Sequence, residues 1–137
     1  MSEVRLEINN RCFGCGADNP IGLKMRVERR GEQWVAEMTV PQDFQGWANI
    51  AHGGFLCAVM DEVMGWALWG IEQRAVTARL HSRFLKPVAV GSAIVVRGWV
   101  TRRRGRLVRA EARVEFTDGA VAADAKGLFI LMGPAAE

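Results

Sequence analysis

The chain has 137 residues, half of them hydrophobic and 24% charged, with a formal net charge of +3. That composition excludes wholesale disorder, and the charge is too small and too evenly spread for a nucleic-acid surface, although it suits an anionic small-molecule ligand. The length gives room for one unit with a real core, and no Pro/Gly/Ser-rich linker divides it, so residues 1–137 read as a single domain.

The N-terminus, MSEVRLEINNRC, carries acidic residues and no apolar h-region, so neither a signal nor a transit peptide is expected and the protein is assigned to the cytoplasm. Cys12, Cys15 and Cys57 form no disulfide framework, in keeping with a reducing compartment. Cys12-x-x-Cys15 has the spacing of half a zinc site, but no second pair follows at ligand spacing. It reads as a tight turn with buried thiols, and a four-cysteine site would need two copies of the chain. No metal and no organic cofactor are expected.

Leu23–Glu28 and Gln33–Val40 read as a hairpin turning around Arg30-Gly31-Glu32. Pro41 closes the second run, and a loop leads to His52-Gly53-Gly54 and a helix of four to five turns ending near Gly70. That helix is the one candidate membrane span. Asp61 and Glu62 at its centre would each cost roughly 2.5–3.5 kcal/mol there, so a buried helix of a soluble fold is expected, with no membrane partner. The remainder is β-rich, with strands expected at Ala75–Leu85, Ser92–Thr101, Leu107–Phe116 and Ala120–Leu131. Arg103-Arg104-Gly105-Arg106 and Thr117-Asp118-Gly119 supply hairpin turns. Arg109, Glu111, Arg113 and Glu115 alternate with Val108, Ala110, Ala112, Val114 and Phe116, which puts one face in water and one on an apolar body. One apolar helix and an antiparallel sheet in need of cover imply an α+β fold in which the sheet wraps the helix.

From Phe44 to Ile71 the only carboxylates are Asp61 and Glu62. A carboxylate in such apolar surroundings costs several kcal/mol unless it is paired or its pKa moves. Gly54, Ala58, Asp61 and Gly65 fall at i, i+4, i+7 and i+11, a narrow stripe whose other members are small and which lets something approach closely. Glu62 points about 100° away and reads as a paired or outward charge at the helix edge. Gly53 and Gly54 leave the first backbone N–H groups of the helix unobstructed at the positive end of its dipole, where a partly negative oxygen is stabilised. Either they serve as an oxyanion donor or they merely permit tight packing.

The segments Phe44-Gln45-Gly46-Trp47, His52-Gly53-Gly54, Asp61-Glu62-Val63-Met64-Gly65 and Arg83-Phe84-Leu85-Lys86-Pro87-Val88, in this order and spacing, resemble the hotdog-fold acyl-CoA thioesterases, of the type similar to the phenylacetate-pathway enzyme. Cys12-Phe13-Gly14-Cys15-Gly16 with Asn19-Pro20-Ile21-Gly22-Leu23 resembles the N-terminal segment of many bacterial members. The resemblance implies the hotdog fold, an antiparallel sheet around one long helix, assembled as homodimers and often tetramers. It implies hydrolysis of an acyl-CoA thioester to a carboxylic acid and coenzyme A. The amide of Gly53 would polarise the carbonyl, Asp61 would act as nucleophile or general base, and Thr77 would orient the water or the carboxylate. Many members carry Asn or Gln six residues before the histidine, where this chain has Gly46; Gln45 and Asn49 stand nearby as replacements.

Helix geometry adds a constraint of its own. Gly53 and Asp61 of one helix are roughly 12 Å apart, whereas an oxyanion donor and a nucleophile must both reach one carbonyl. A composite site is therefore expected, Gly53 of one subunit facing Asp61 of the other across a two-fold axis. His52 reads as the residue whose side chain fixes the loop before Gly53, with Gly54 beside it on the substrate side. Arg103 and Arg104, in the densest basic cluster, read either as a solvated turn or as partners of the coenzyme A phosphates, and Arg83 and Lys86 are equally reasonable phosphate partners. Two other readings stand beside the hydrolase: a non-catalytic acyl-CoA-binding sensor, and a hydratase or dehydratase of the same fold, whose usual histidine and carboxylate motif His52-Gly53-Gly54 matches poorly.

Overall fold

The structure, a computed structural model, describes residues 6–134; the first and last few residues of the single unit expected above, and the start of the segment read for a leader, lie outside the described residues. The elements in chain order are β1 (Glu28–Arg30), β2 (Gln33–Thr39), a short 3-10 turn (Gln42–Phe44), α1 (Gly53–Gly70), β3 (Gln73–Phe84), β4 (Ala93–Arg104), β5 (Leu107–Phe116) and β6 (Val121–Pro134). The six strands form one antiparallel sheet in the order β1-β2-β4-β5-β6-β3, curled around α1, as expected of the hotdog fold.

The sheet can hold the helix so closely because its floor is made of small residues. Gly98, Ala112 and Ala125 pair in register across β4, β5 and β6, and Ala110 pairs with Gly127 in the adjoining row. A Cβ on Gly98 would stand 2.7 Å from the backbone carbonyl carbon of Val63, and one on Gly127 would meet the Met64 sulfur at 3.1 Å. Into this trough α1 presses Phe55, Leu56, Val59, Met60, Val63, Met64, Ala67 and Leu68, all buried. Each large side chain among them contributes roughly 1.5–3 kcal/mol of burial. The alternation in β5 emerges as expected, with Val108, Ala110, Ala112 and Val114 buried beneath the helix.

The first half of the expected N-terminal hairpin is not a strand. Leu23 and Met25 are buried in the core, but Lys24 between them has φ of 51°, a left-handed turn that breaks extension. Their N–H groups donate instead to the carbonyls of Phe13 and Gly14, both at 2.8 Å, so the chain pairs with the cysteine turn and β1 begins only at Glu28. No helix among the described residues is long and apolar enough to cross a membrane.

Because the added methyl would meet backbone rather than a mobile side-chain end, Gly98→Ala is expected to lower unfolding free energy by about 1–3 kcal/mol, the usual cost of overpacking. Chemical denaturation checks this; an unchanged midpoint would show that the trough has slack.

Candidate active site

The loop before α1 is built to present the helix start. His52 is the N-cap, its backbone extended (φ −64°, ψ 136°), and its Nδ1 accepts the Gly54 N–H at 2.8 Å. The neutral ring therefore carries its proton on Nε2, and Nδ1 is not free to act as a base. This corrects the expectation of two open amides: Gly54 N–H is spent on the cap, and its side of the helix is left only as a wall. The Gly53 N–H, the first of the helix, has no partner among the described residues.

Two turns on, the Asp61 carboxylate is half-buried and accepts a hydrogen bond from the Thr77 hydroxyl at 2.7 Å. Thr77 is its one side-chain partner among the described residues. The meeting depends on a bulge. Thr77 pairs with Phe129 and Arg79 with Leu128, leaving Ala78 as an extra residue. The bulge resets the period of β3 so that Thr77 before it and Ser82 and Phe84 after it all face α1. Ser82 meets Cys57 (Sγ to Oγ, 3.4 Å), and the Phe84 ring lies 3.6 Å from where a Cβ on Gly53 would be. Beyond this line Gly54 and Gly65 are exposed, and nothing lies within 4 Å of a Cβ placed on Gly65.

The sequence pattern of the thioesterase superfamily matches residues 48–123, more than half of the chain and all of the segment just described. The chain belongs to that superfamily. Among curated proteins, none matches it significantly. Among solved structures it is similar to a thioesterase superfamily protein, RHA08564 (24% identity, TM-score 0.83, covering 88% of this chain and 63% of that longer one), so it spans less than two thirds of that neighbour. It is similar to a hypothetical thioesterase of Streptococcus pneumoniae TIGR4 with coenzyme A (17%, TM-score 0.76, 80% and 90%), which has also been solved with alanine in place of a threonine and of an aspartate. A third is the E. coli PaaI protein from the phenylacetic acid degradation operon (18%, TM-score 0.75, 82% of each). The likeness identifies the architecture as the hotdog fold.

Within this thioesterase-superfamily fold the remaining candidates separate. Gln45 lines a groove of about 230 Å³ together with Phe13, Phe44, His52, Gly54 and Ala58. Its Oε1 accepts the backbone N–H of Asn49 at 2.8 Å, and Asn49, with φ of 66°, is a left-handed loop residue that does not line the groove. Of the two, Gln45 lines the groove and Asn49 shapes the loop. Trp47 is 86% exposed and borders a second, shallower hollow with Gly46, His52 and Gly53.

Of the basic candidates, Arg83 needs correction. Arg83 is engaged by Asp124, its Nε donating at 2.9 Å to one carboxylate oxygen and a terminal nitrogen to the other, so it is not a free phosphate partner in this structure. Arg103 and Arg104 sit on the β4–β5 hairpin, where Arg103 shares a hollow with Gln73 and Leu131. Gln73 begins β3 and Phe84, beside Gly53, ends it, so Arg103 lies toward the opposite end of β3 from its own Gly53. Lys86 is exposed just past β3, at the Phe84 end. Sequence spacing could not reveal the Arg83–Asp124 pairing, which joins residues 41 apart on neighbouring strands.

The Arg83 hydrogen bond, against opposing burial, holds the Asp124 carboxyl below the ordinary carboxylate range, and Asp124 in turn raises Arg83. A depressed folded value means that the pair's stabilisation is present above the unfolded carboxyl value of about 3.9 and is lost as pH falls through the lower folded value. The melting-temperature difference between the native protein and Asp124→Asn is therefore expected to shrink from about pH 5 toward about pH 2. A difference that grows in acid would reverse the assignment.

Proposed function

We propose that this protein is an acyl-CoA thioesterase, releasing a carboxylic acid and coenzyme A at a site shared between two copies of the chain. The observation that carries the reading is Asp61 itself: a carboxylate held by a threonine hydroxyl on a small-residue face of α1 that its own sheet leaves uncovered. A binding protein gains little from such a group, whereas hydrolysis requires one. The pneumococcal neighbour gives further support: it was solved with coenzyme A, and the aspartate and threonine replaced in its variants are separated by 16 positions, as are Asp61 and Thr77.

The thioester carbonyl oxygen lies at the Gly53 N–H of one copy, where the helix dipole favours the negative charge that develops on it. Asp61 of the other copy, oriented by Thr77, attacks the carbonyl carbon or takes the proton of a water that does. The carbon–sulfur bond then breaks, water supplies the hydroxyl of the acid, and a proton goes to the departing thiolate. The same geometry supports dimerisation. β3 is an open sheet edge carrying Val76 (39% exposed) and Phe84 (53%), and a second β3 paired antiparallel would close it while bringing the opposite helix stripe into contact. In that arrangement the Gln73 end of one β3 meets the Phe84 end of the other, which returns Arg103 and Arg104 to the neighbourhood of the partner's Gly53 as attractors for phosphates. Gln45, His52 and Gly54 wall the groove. We place the enzyme in the cytoplasm and treat residues 1–137 as one domain.

The test uses two variants that damage different halves of the site. Asp61→Ala removes the carboxylate. Gly53→Pro removes only the N–H, since proline suits the first helical position and the extended backbone of His52 suits a following proline. Each alone is expected to lower kcat for acyl-CoA hydrolysis at least about a hundredfold, read by thiol release. Subunit exchange between the two should restore about a quarter of native activity, because half the dimers are mixed and each mixed dimer has one intact site of two. No recovery on verified exchange would place both groups in one chain, and full activity of Asp61→Ala alone would leave a binding protein or a hydratase as the better reading.

A further inference from the structure

The N-terminal turn is pressed onto α1 at a point that thioester chemistry does not use. Glu62, expected to be an outward or ion-paired charge, instead turns toward Cys12 and Cys15. The Cys12 sulfur lies 3.4 Å from Glu62 Oε1 and 3.9 Å from Oε2, and Trp66 donates its indole N–H to Oε2 at 3.2 Å. One donor atom from each of Cys12, Cys15 and Glu62 lies within 4.8 Å of the others. The turn is shaped for this approach. The Gly16 N–H closes it onto the Cys12 carbonyl at 2.9 Å, and a Cβ on Gly14 would stand 2.5 Å from the Glu62 carboxyl carbon and push the carboxylate aside.

We propose that Cys12, Cys15 and Glu62 form a structural site for a thiophilic divalent cation of the zinc class. Tetrahedral zinc with sulfur at about 2.3 Å and oxygen at about 2.0 Å separates those two ligands by about 3.5 Å, close to the distance already held between Cys12 and Glu62. Two thiolates and a carboxylate favour zinc over magnesium or calcium, which take oxygen ligands. The fourth position is left to water. Trp66 holds the carboxylate from behind, as outer-shell donors do around metal ligands. Each thiol loses its proton to solvent as the cation enters, two protons per ion.

A dithiol redox pair is the competing use of this spacing, and it calls for a thiol whose pKa is lowered. Here the group beside the thiols is the Glu62 carboxylate, not the basic side chain or helix N-terminus that activates such a pair. The in-chain carboxylate also replaces the second pair of cysteines that a four-cysteine site would have drawn from another copy. The cation would tie the N-terminal turn to α1 at the residue next to Asp61, and Phe13 of that turn lines the groove beside His52 and Gly54. Its role is to order one wall of the groove.

The test is metal binding by the full chain and is independent of turnover. Protein purified under reducing conditions without chelator is expected to hold one zinc per chain. Apo protein titrated with Co²⁺ should develop an intense sulfur-to-cobalt charge-transfer band that saturates at one equivalent. The band should vanish in Cys12→Ser/Cys15→Ser, and affinity should fall at least about tenfold in Glu62→Gln and about tenfold in Trp66→Phe. If the double variant fails to fold by circular dichroism, the native titration and Glu62→Gln decide. No charge-transfer band in the reduced native protein, unchanged affinity in Glu62→Gln, or saturation at half an equivalent per chain would each overturn the site, the last in favour of cysteines shared between two copies.

Discussion

Everything at the candidate site depends on how deeply α1 lies in its sheet. The row Gly98, Ala112, Ala125 removes side-chain bulk where the helix crosses, and the Val63 backbone occupies the space that a Cβ on Gly98 would need. A helix so seated has no freedom to roll: Val59, Met60, Val63 and Met64 fill one side completely. The opposite side, nearly 180° around, then has to carry Gly54, Ala58, Asp61 and Gly65 outward. Packing chemistry on β4, β5 and β6 thus decides which way a carboxylate on another element faces.

Two local devices then complete the geometry at the helix's edges. The His52 cap consumes the Gly54 amide and leaves the Gly53 amide without a partner among the described residues, so the first donor of the helix stays open. On β3, the extra residue Ala78 changes which side of the strand faces the helix. A regular strand with Ser82 and Phe84 toward α1 would point Thr77 away from it, so the Thr77–Asp61 hydrogen bond exists because the strand is irregular. Strand bulge and helix cap act about half the helix apart, and each fixes one of the two groups that the proposed reaction needs.

The sequence made the periodic and the local parts legible. The helix from Gly53 to Gly70, the β5 alternation and the glycine turns follow from rules that act over a few residues. Family resemblance pointed to Thr77, but residue spacing could not have, since the bulge breaks the period by which a strand's faces are read. The misread hairpin at Leu23–Glu28 has a similar origin: Leu23 and Met25 alternate as a strand would, and only the left-handed Lys24 shows that they are buried by a turn. Pairings across the sheet or between the N-terminal turn and α1, such as Arg83 with Asp124 and Cys12 with Glu62, join residues 41 and 50 positions apart. Nothing in linear spacing carries that information, so neither the engagement of Arg83 by Asp124 nor the turn of Glu62 toward the cysteines is legible in the sequence.

The uncovered face of α1 bears on assembly independently of any catalytic argument. A surface helix on a monomer ordinarily shows charged residues opposite its apolar stripe. Here that side offers glycine, alanine and one carboxylate, with no basic residue anywhere from Gly53 to Gly70. Such a face is poor at holding water and good at admitting another backbone, because glycine and alanine allow close approach. The adjacent edge of β3 has the complementary need, a row of backbone groups with no strand beside them among the described residues and apolar side chains at Val76 and Phe84. In the proposed dimer, a two-fold axis through the middle of β3 would answer both at once, since antiparallel pairing of the edges would carry each helix stripe against the other. It would also turn the roughly 12 Å between Gly53 and Asp61 from an obstacle within one chain into the spacing that sets two identical sites apart across the axis.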